Sequence, residues 1–495
     1  MKRIAFLLAA LVLTTALFTG CSKPSDSEDE TTTLPGADDI TEEPTDSGTT
    51  APYSVEDSLP ELDFGGLEVS FLNWQEALCP EFGAENSGDI ISNAVYTRNI
   101  TTEERLKIKL VFNDTAGNNE NMNNYIQTAA NDIMSGSAQY DIFASYSMCG
   151  ATLAINGYTL DLLTQEYLDF EKPWWPENLI GQATINNKLY FCSGDISTNM
   201  LYYMFVMFFN RDTINARGLE NPYELVESGK WTVDKMIEMT QGMYEDKNQN
   251  GARDEEDNYG VRAVTNVWTD SFFFASGLST IEQDSNGRLV ISDTWCSEKS
   301  QNLLTKLCAY FANGDGFLGS GNASRTQFTG GNSLFIIDSA GSAKDHYAQS
   351  SVNFGVVPVP KYDEEQEKYY TTLGFTYTMY SLSKAASDKS AAAATIECLA
   401  SEGYRTTTPA IFEQAFKYKY STGEENVVMW GIIKNSVSFD LGRIFTTSMN
   451  KLTYSLFRNA LTNNQADKWF STFAQNEKAL NTYLEAIMKS FESGN

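Results

Sequence analysis

Leu67-Glu-Val-Ser-Phe71 alternates apolar and polar residues, Ile91, Ala94, Val95 and Arg98 then recur at helical spacing, and Leu106, Ile108, Leu110 and Phe112 alternate again. Period two, then 3.6, then two reads as strand, helix, strand. The pattern continues with Met122, Tyr125, Ile126, Ala129 and Ile133 on one helix face that stops near Gly136, followed by Tyr140-Asp-Ile-Phe-Ala144 as a buried strand. Strands alternating with helices predict an α/β fold, a parallel sheet flanked by helices. In such a sheet a ligand sits beyond the carboxyl ends of the strands, which singles out Asn73, Trp74 and Gln75 and the run Ser145-Tyr146-Ser147 at one rim.

A second run, Leu201 to Asn210, is too apolar for a surface strand and leads through Arg211-Asp212 to a turn and a helix capped by Thr232. A second lobe starts here. The strand Ser333-Leu-Phe-Ile-Ile-Asp338 ends in Ser339-Ala-Gly341, and Phe354-Gly-Val-Val-Pro-Val-Pro360 reads as an extended connector where the chain crosses between lobes. From Phe412 onward the pattern is helical, with Trp469, Phe470, Phe473, Leu480, Leu484 and Ile487 on one stripe. The resulting division is a signal segment over 1–20, a tether over 21–58, a first lobe of 59–190 with 356–405, and a second lobe of 191–355 with 406–495.

At 495 residues, 42% of them hydrophobic and 13% aromatic, the chain is long enough for two or three domains that bury cores without disulfide staples. Ahead of that body, Lys2 and Arg3 precede the apolar run Ile4 to Leu13, and small residues lead to Cys21. This is the layout of an export signal, too short to remain as a spanning helix. Between Ser22 and Ser58 almost nothing is apolar, so burial cannot offset the ordering entropy and a disordered tether is expected. It carries a charge of −10 and should be extended by self-repulsion, while the body keeps −22.

The excess of 65 Asp and Glu over 35 Lys and Arg repels a phosphate backbone, which argues against nucleic acid as a partner. A single histidine, His346, argues against zinc chemistry and most histidine-based catalysis. Cys79, Cys149, Cys192, Cys296, Cys308 and Cys398 show no CxxC spacing and sit mostly among apolar residues, so buried free thiols are expected rather than disulfides.

Asp246-Lys-Asn-Gln-Asn-Gly-Ala-Arg-Asp-Glu-Glu-Asp257 places the side-chain oxygens of Asp246, Asn248, Asn250, Asp254 and Asp257 at positions 1, 3, 5, 9 and 12 of a twelve-residue loop. Gly251 stands at position 6 for the sharp turn, and the Ala252 carbonyl at 7. This spacing predicts an EF-hand-like loop for a structural Ca2+ ion. Asp257 replaces the usual bidentate Glu and Arg253 adds a positive charge, both of which weaken binding. A solvated acidic turn is the alternative.

Phe18-Thr-Gly-Cys21 resembles a bacterial lipobox, whose cysteine is diacylated and becomes the new N-terminus, with Phe18 where Leu is usual. Further along stand Asp63-Phe-Gly-Gly66, Gly88-Asp-Ile-Ile-Ser-Asn-Ala-Val-Tyr-Thr-Arg-Asn99, Lys172-Pro-Trp-Trp175 and Asn187-Lys-Leu-Tyr190. Pro222-Tyr-Glu-Leu-Val226, Gly229-Lys-Trp-Thr232 and Pro358-Val-Pro-Lys-Tyr362, with Gln366 and Tyr369, complete the series. In this order and spacing the chain resembles the extracellular solute-binding proteins of ABC importers, family 1, carbohydrate type, and especially their clostridial lipoprotein branch. The resemblance implies a periplasmic-binding-protein-like fold, two α/β lobes joined by a hinge and closing on a ligand in the cleft between them. It implies that the ligand is handed to an ABC transporter permease, and does not name that ligand. The expectation is a carbohydrate, an oligosaccharide in first place, captured by a monomer without enzymatic activity that a lipid anchor holds at the extracellular face of the cytoplasmic membrane.

A saccharide site needs flat apolar faces for the C–H side of a pyranose and carboxylates or amides for its hydroxyls. The candidates are Trp74, Tyr146, Ser147, Trp268, Phe375 and Tyr377, with Asp195, Asp338 and Ser339 as polar partners. Trp268 and Phe272 would form the opposing wall. Trp174 and Trp175 cannot both face one pocket from extended backbone. Two other classes fit an exported, acidic, aromatic-rich chain. One is a glycoside hydrolase, which needs two carboxylates about 5 to 10 Å apart; the other is a surface sensor or attachment lipoprotein. Neither a G-x-S-x-G nor an H-E-x-x-H motif is present. Two acyl chains on Cys21 would hold the protein on the membrane, so Cys21→Ser is expected to release it into the soluble fraction. Membrane recovery equal to the wild type would exclude the lipid anchor.

Overall fold

Strand β1 (Leu67–Trp74) buries Val69 and Phe71 and turns Glu68 outward, and from Phe71 on every residue is buried. The computed structural model to which it belongs describes residues 53–419 and 423–492; the export signal, Cys21 and the tether up to residue 52 lie outside the described residues. Helix α1 (Ile90–Leu106) starts where the Asp89 carboxylate accepts from the amides of Ile91 and Ser92, and stops at Lys107, left-handed at φ 53°. Strand β2 (Ile108–Thr115) then lies parallel to β1 from Leu67↔Ile108 to Trp74↔Thr115. Helix α2 (Met122–Ser135) ends on Gly136 at φ 67°, and β3 (Ile142–Tyr146), buried throughout, joins the other side of β1, also parallel.

The second half of the body begins with β4 (Phe205–Asn210), all six residues buried, and β5 (Tyr259–Ala263). A separate hairpin, β6 (Ile281–Gln283) with β7 (Leu289–Ile291), precedes β8 (Gly316–Leu318), β9 (Ser333–Ser339) and β10 (Phe354–Pro358). These make a five-stranded sheet in the order β10-β4-β9-β5-β8. After β11 (Thr371–Thr372), strand β12 (Thr378–Leu382) returns to the first sheet, whose order is β12-β3-β1-β2. The α/β reading holds, but neither sheet is wholly parallel. Strand β12 runs antiparallel to β3, and β4 antiparallel to both β9 and β10. Both β4 and β12 are strands by which the chain arrives from the other sheet, so their direction is set by the crossing and not by a βαβ unit.

Several boundaries move. The apolar run from Leu201 divides into the end of a short helix (Thr198–Tyr202) and β4. Phe354 to Pro358 is no connector: it pairs with β4 along its whole length, Phe354↔Asn210 to Pro358↔Val206, so a lobe boundary at 356 would cut a strand. The chain leaves the second sheet only after Pro358. Likewise Cys192 still bridges Tyr380, and the Ser193 hydroxyl donates to the carbonyl of Thr378, so the first crossing starts after 193. At the other end of the molecule, helix Trp469–Glu492 buries Trp469, Phe473, Leu480, Leu484 and Ile487, whereas Phe470, about 100° round from Trp469, is 47% exposed.

Residues 53–58, expected to belong to a disordered tether, are docked. The Asp57 side chain is buried between Arg105 (2.7 Å), Arg405 (3.2 Å) and the Ser401 hydroxyl (2.6 Å), and these partners hold its carboxyl well below the usual range although burial opposes them. The Tyr53 ring lies 5.2 Å from that of Tyr404, and its hydroxyl donates to Glu413 and accepts from Lys434. Composition could not show this, because one acid finds bases 48 and 348 positions away. The cysteine reading stands, since all six cysteines of the described residues are free thiols and five are buried.

Trp174 and Trp175 occupy a turn and not a strand, so both indoles reach one group: each Nε1 donates to Glu397, at 3.1 Å. Glu397 is buried in helix Lys389–Glu402, and burial pushes its carboxyl up to about 7 against the three N–H groups, those of the two indoles and the Asp169 amide, that favour its ionised form. Its folded value exceeds the ordinary 4.5, so between those values the native state holds a proton that the unfolded chain has lost. Stability from this group is therefore full below the lower value and falls by about 3 kcal/mol as pH rises to about 7. Denaturant titrations from pH 4.5 to 8 should show this decline in the wild type and a flatter profile in Glu397→Gln; identical slopes would refute the assignment.

Candidate functional site

The first-sheet rim is made by the ends of β1 and β3. Trp74 is wholly buried; its Nε1 donates to the Thr378 hydroxyl (2.9 Å), and its ring meets Tyr146 edge-on at 5.4 Å. Trp74 is therefore a packed core ring against Tyr146, which is itself buried. Ser147, at the start of helix α3 (Ser147–Ile155), donates to the carbonyl of Phe375 (2.6 Å). The Phe375 ring packs 5.7 Å from Tyr454, and Tyr377 lies buried against Phe439. Burial pushes the Tyr146 phenol up, and Cys149, Arg443, Tyr454 and Tyr203 act on it as well.

The opposing side is built on helix Val267–Ala275, capped by the Asn266 side chain beyond β5. Its Trp268 carries the Arg325 guanidinium 5.2 Å above the ring, and Arg325 reaches Asp338 through Nε (2.6 Å) and Nη2 (2.7 Å). Asp338, proposed from sequence as a sugar partner, is fully buried and also accepts from Tyr347 and from the Ser339 amide, so its work is to hold Arg325. Two residues on, Asp270 takes Arg458 through Nε and Nη2 and faces Arg443 at 3.6 Å. Burial pushes the Asp270 carboxyl up while the two guanidiniums pull it down. Arg443 itself lies 4.0 Å over Phe375 and 5.2 Å from Phe274, and Arg458 4.2 Å over Tyr454. Tyr203, between the short helix and β4, feels Asp345, Arg325 and Asp338 and completes this side.

A family model described as bacterial extracellular solute-binding protein matches residues 89–406, well over half of the chain. The chain belongs to this family. Its fold is similar to that of the cyclic α-maltosyl-1,6-maltose binding protein of Arthrobacter globiformis, at 14% identity over 85% of this chain and 99% of that one, TM-score 0.58. The extracellular solute-binding protein of Staphylococcus aureus, solved with maltose, gives 12% identity over 83% and 98%, TM-score 0.56. The GacH receptor of Streptomyces glaucescens, solved unliganded and with acarbose, gives 12% over 85% and 99%, TM-score 0.53. No curated protein matches the chain. The two sheets with their helices are thus the two lobes of a periplasmic-binding-protein-like fold. Among the described residues no helix is long and apolar enough to cross a membrane.

In this solute-binding protein the structure gathers Trp74, Tyr146, Ser147, Phe375 and Tyr377 on one side, and Trp268, Asp338 and Ser339 on the other. Asp195 stands apart. Its carboxylate accepts from the Thr408 hydroxyl (2.8 Å), burial raises its pKa, and the nearest charge is Lys434, beneath the docked Tyr53. Sequence reasoning missed Arg325, Arg443, Arg458, Asp270, Tyr203 and Tyr454. Asp270 lay in the quoted Trp-Thr-Asp stretch, but its partners are 173 and 188 positions away and follow no period. A groove of about 720 Å³ lined by Asn178, Tyr369, Tyr370 and Asn435 contains none of the expected site residues.

The loop Asp246 to Asp257 folds back on itself. Gly251 has φ 75°, and Asp246 accepts from the amides of Asn250 (3.2 Å) and Gly251 (2.8 Å). The side-chain Nδ2 groups of Asn248 and Asn250 donate to the Asp254 carboxylate at 3.1 and 2.6 Å. Asp257 is buried and accepts from the amides of Lys247 and Asp254. Arg253 points away, donating to the Gly316 carbonyl and stacking on Tyr244 and Tyr259. Among the described residues no three His, Cys, Asp or Glu side chains converge as a metal cluster, so a site here requires the two asparagines and the Ala252 carbonyl.

Proposed function

We propose that this extracellular solute-binding protein captures a carbohydrate between its lobes, without turning it over, and delivers it to an ABC transporter permease while anchored through a lipid on Cys21. The observation that carries the reading is the set of aromatic rings topped by guanidiniums, Arg325 over Trp268 and Arg458 over Tyr454. Flat faces with planar donors beside them are the chemistry of pyranose binding. Maltose and acarbose in the similar structures support it. Binding without hydrolysis is supported by the state of Asp270 and Asp338: each carboxylate is engaged by an arginine, so these two do not stand as a free acid-base pair of the kind glycosidases use. Capture by a monomer follows from the same reading.

Calorimetry against a panel of oligosaccharides tests it. Tyr146→Ala and Trp268→Ala should each weaken the best binder by about 1 kcal/mol or more, roughly fivefold, while Asp195→Asn leaves it unchanged. Affinity within twofold in both alanine variants would misplace the site, and recovery of a cleaved glycan would make the protein an enzyme.

We also propose that Asp246, Asn248, Asn250, Asp254 and Asp257, with the Ala252 carbonyl, hold a structural Ca2+ ion. Gly251 supplies the turn and Arg253 is removed from the loop by its own contacts. A bound ion stabilises the native state by mass action. EDTA should lower the melting temperature, and Ca2+ should restore it. An unchanged melting curve, with no metal by elemental analysis, would leave an acidic turn.

A further inference from the structure

Donors and acceptors are not balanced in the cleft. Arg325 and Arg458 each pair side-on with a carboxylate through Nε and Nη2, which leaves Nη1 outside the pair on side chains still 23% and 18% exposed. Arg443 Nη1 is buried without a hydrogen-bond partner. The acids nearby are hydrogen-bonded within the protein, Asp345 by the Tyr202 hydroxyl. Asp338 takes Arg325, Tyr347 and the Ser339 amide, and Asp270 alone serves both Arg443 and Arg458. Asp440, also near Arg443, is turned to Ser279 and Thr280, and Glu76 on the first-lobe rim accepts from the amides of Gly117 and Asn118. The Asp440 charge still acts on Arg443, so Asp270 and Asp440 together offset Arg443 and Arg458, and what stays open is N–H donors, the Nη1 groups of Arg325, Arg443 and Arg458.

A ligand with hydroxyls alone must place its protons as well as its oxygens, and needs acceptors that this wall has already committed. From the imbalance we infer that the saccharide is anionic, carrying a carboxylate or a sulfate ester whose oxygens complete the open edges of Arg325 and Arg458. Charge-assisted contacts to a planar guanidinium are about twice as strong as neutral ones, so such a group outweighs a hydroxyl at the same place. The body's net charge of −22 acts against an anion only at long range, where salt screens it beyond about 8 Å. This inference rests on the carbohydrate reading of the same cleft.

Calorimetry on the full chain with trigalacturonate, its carboxyl-reduced counterpart, a sulfated disaccharide and maltotetraose decides it. One of the two anionic probes should bind at least tenfold more tightly than both neutral ones, and which of the two it is tells carboxylate from sulfate. Arg325→Lys and Arg458→Lys, checked for folding by their melting curves, should weaken the anionic probe at least tenfold and change the neutral ones less than threefold. A neutral probe that binds as well as either anion, or lysine variants that weaken all probes equally, overturns the inference and leaves carbohydrate capture standing. If no saccharide binds, the functional reading falls with it.

Discussion

Asp270 is a buried carboxylate between two guanidiniums, and the geometry of the cleft follows from it. Moving an ion out of water costs several kcal/mol, an expense offset only where geometry is good and the remaining valences are met. Side-on contact from Arg458 and a second base at 3.6 Å meet that condition. Those bases come from helices Leu441–Ile444 and Leu452–Thr462, so the acid fixes the C-terminal helices to helix Val267–Ala275. Arg443 passes the constraint on: Nη2 donates to the carbonyl of Leu373, and its plane lies on Phe375, whose carbonyl takes the Ser147 hydroxyl. An apolar cluster of equal volume could match the stability. It could not set the orientation of three segments at once.

The first crossing is governed by another buried acid. Glu81 accepts from Ser197 and Thr198 hydroxyls, from the amide and side chain of Asn199, and from Tyr380 of β12. Residues 197–199 are consequently held to the first lobe, and the crossing is completed between Tyr202 and Phe205. Tyr203 occupies that joint, with Asp345, Arg325 and Asp338 acting on its phenol.

How much of this was legible depends on the range of the interaction. Strand β1, α1, β2, α2 and β3 could be read because burial repeats with the period of the backbone, and caps such as Asp89 and Gly136 are local. Strand β10 was misread because Pro358 and Pro360 suggest a connector, yet Pro358 ends a strand on the outer edge of its sheet, where a missing N–H is tolerated. Strand ends singled out Trp74, Tyr146, Asp338 and Ser339. They did not tell that the Trp74 indole answers to Thr378, nor that Asp338 answers to Arg325. Asp195 was misplaced for the same reason: an acid after a strand-like run looks alike whether its partner is a solute or Thr408.

The docking of Asp57 and Tyr53 settles where a leash would leave the body. A chain spans at most about 3.5 Å per residue, so the stretch from Tyr53 back to a lipidated Cys21 reaches no farther than about 110 Å from the bilayer. Because the exit is pinned by two arginines to α1 and the neighbouring helix, it cannot slide over the surface. A protein so tethered would range over a hemisphere of fixed radius while always being held by the same flank. A permease within that radius would meet a receptor whose presentation is already restricted, turning a search in solution into a search over a patch of membrane.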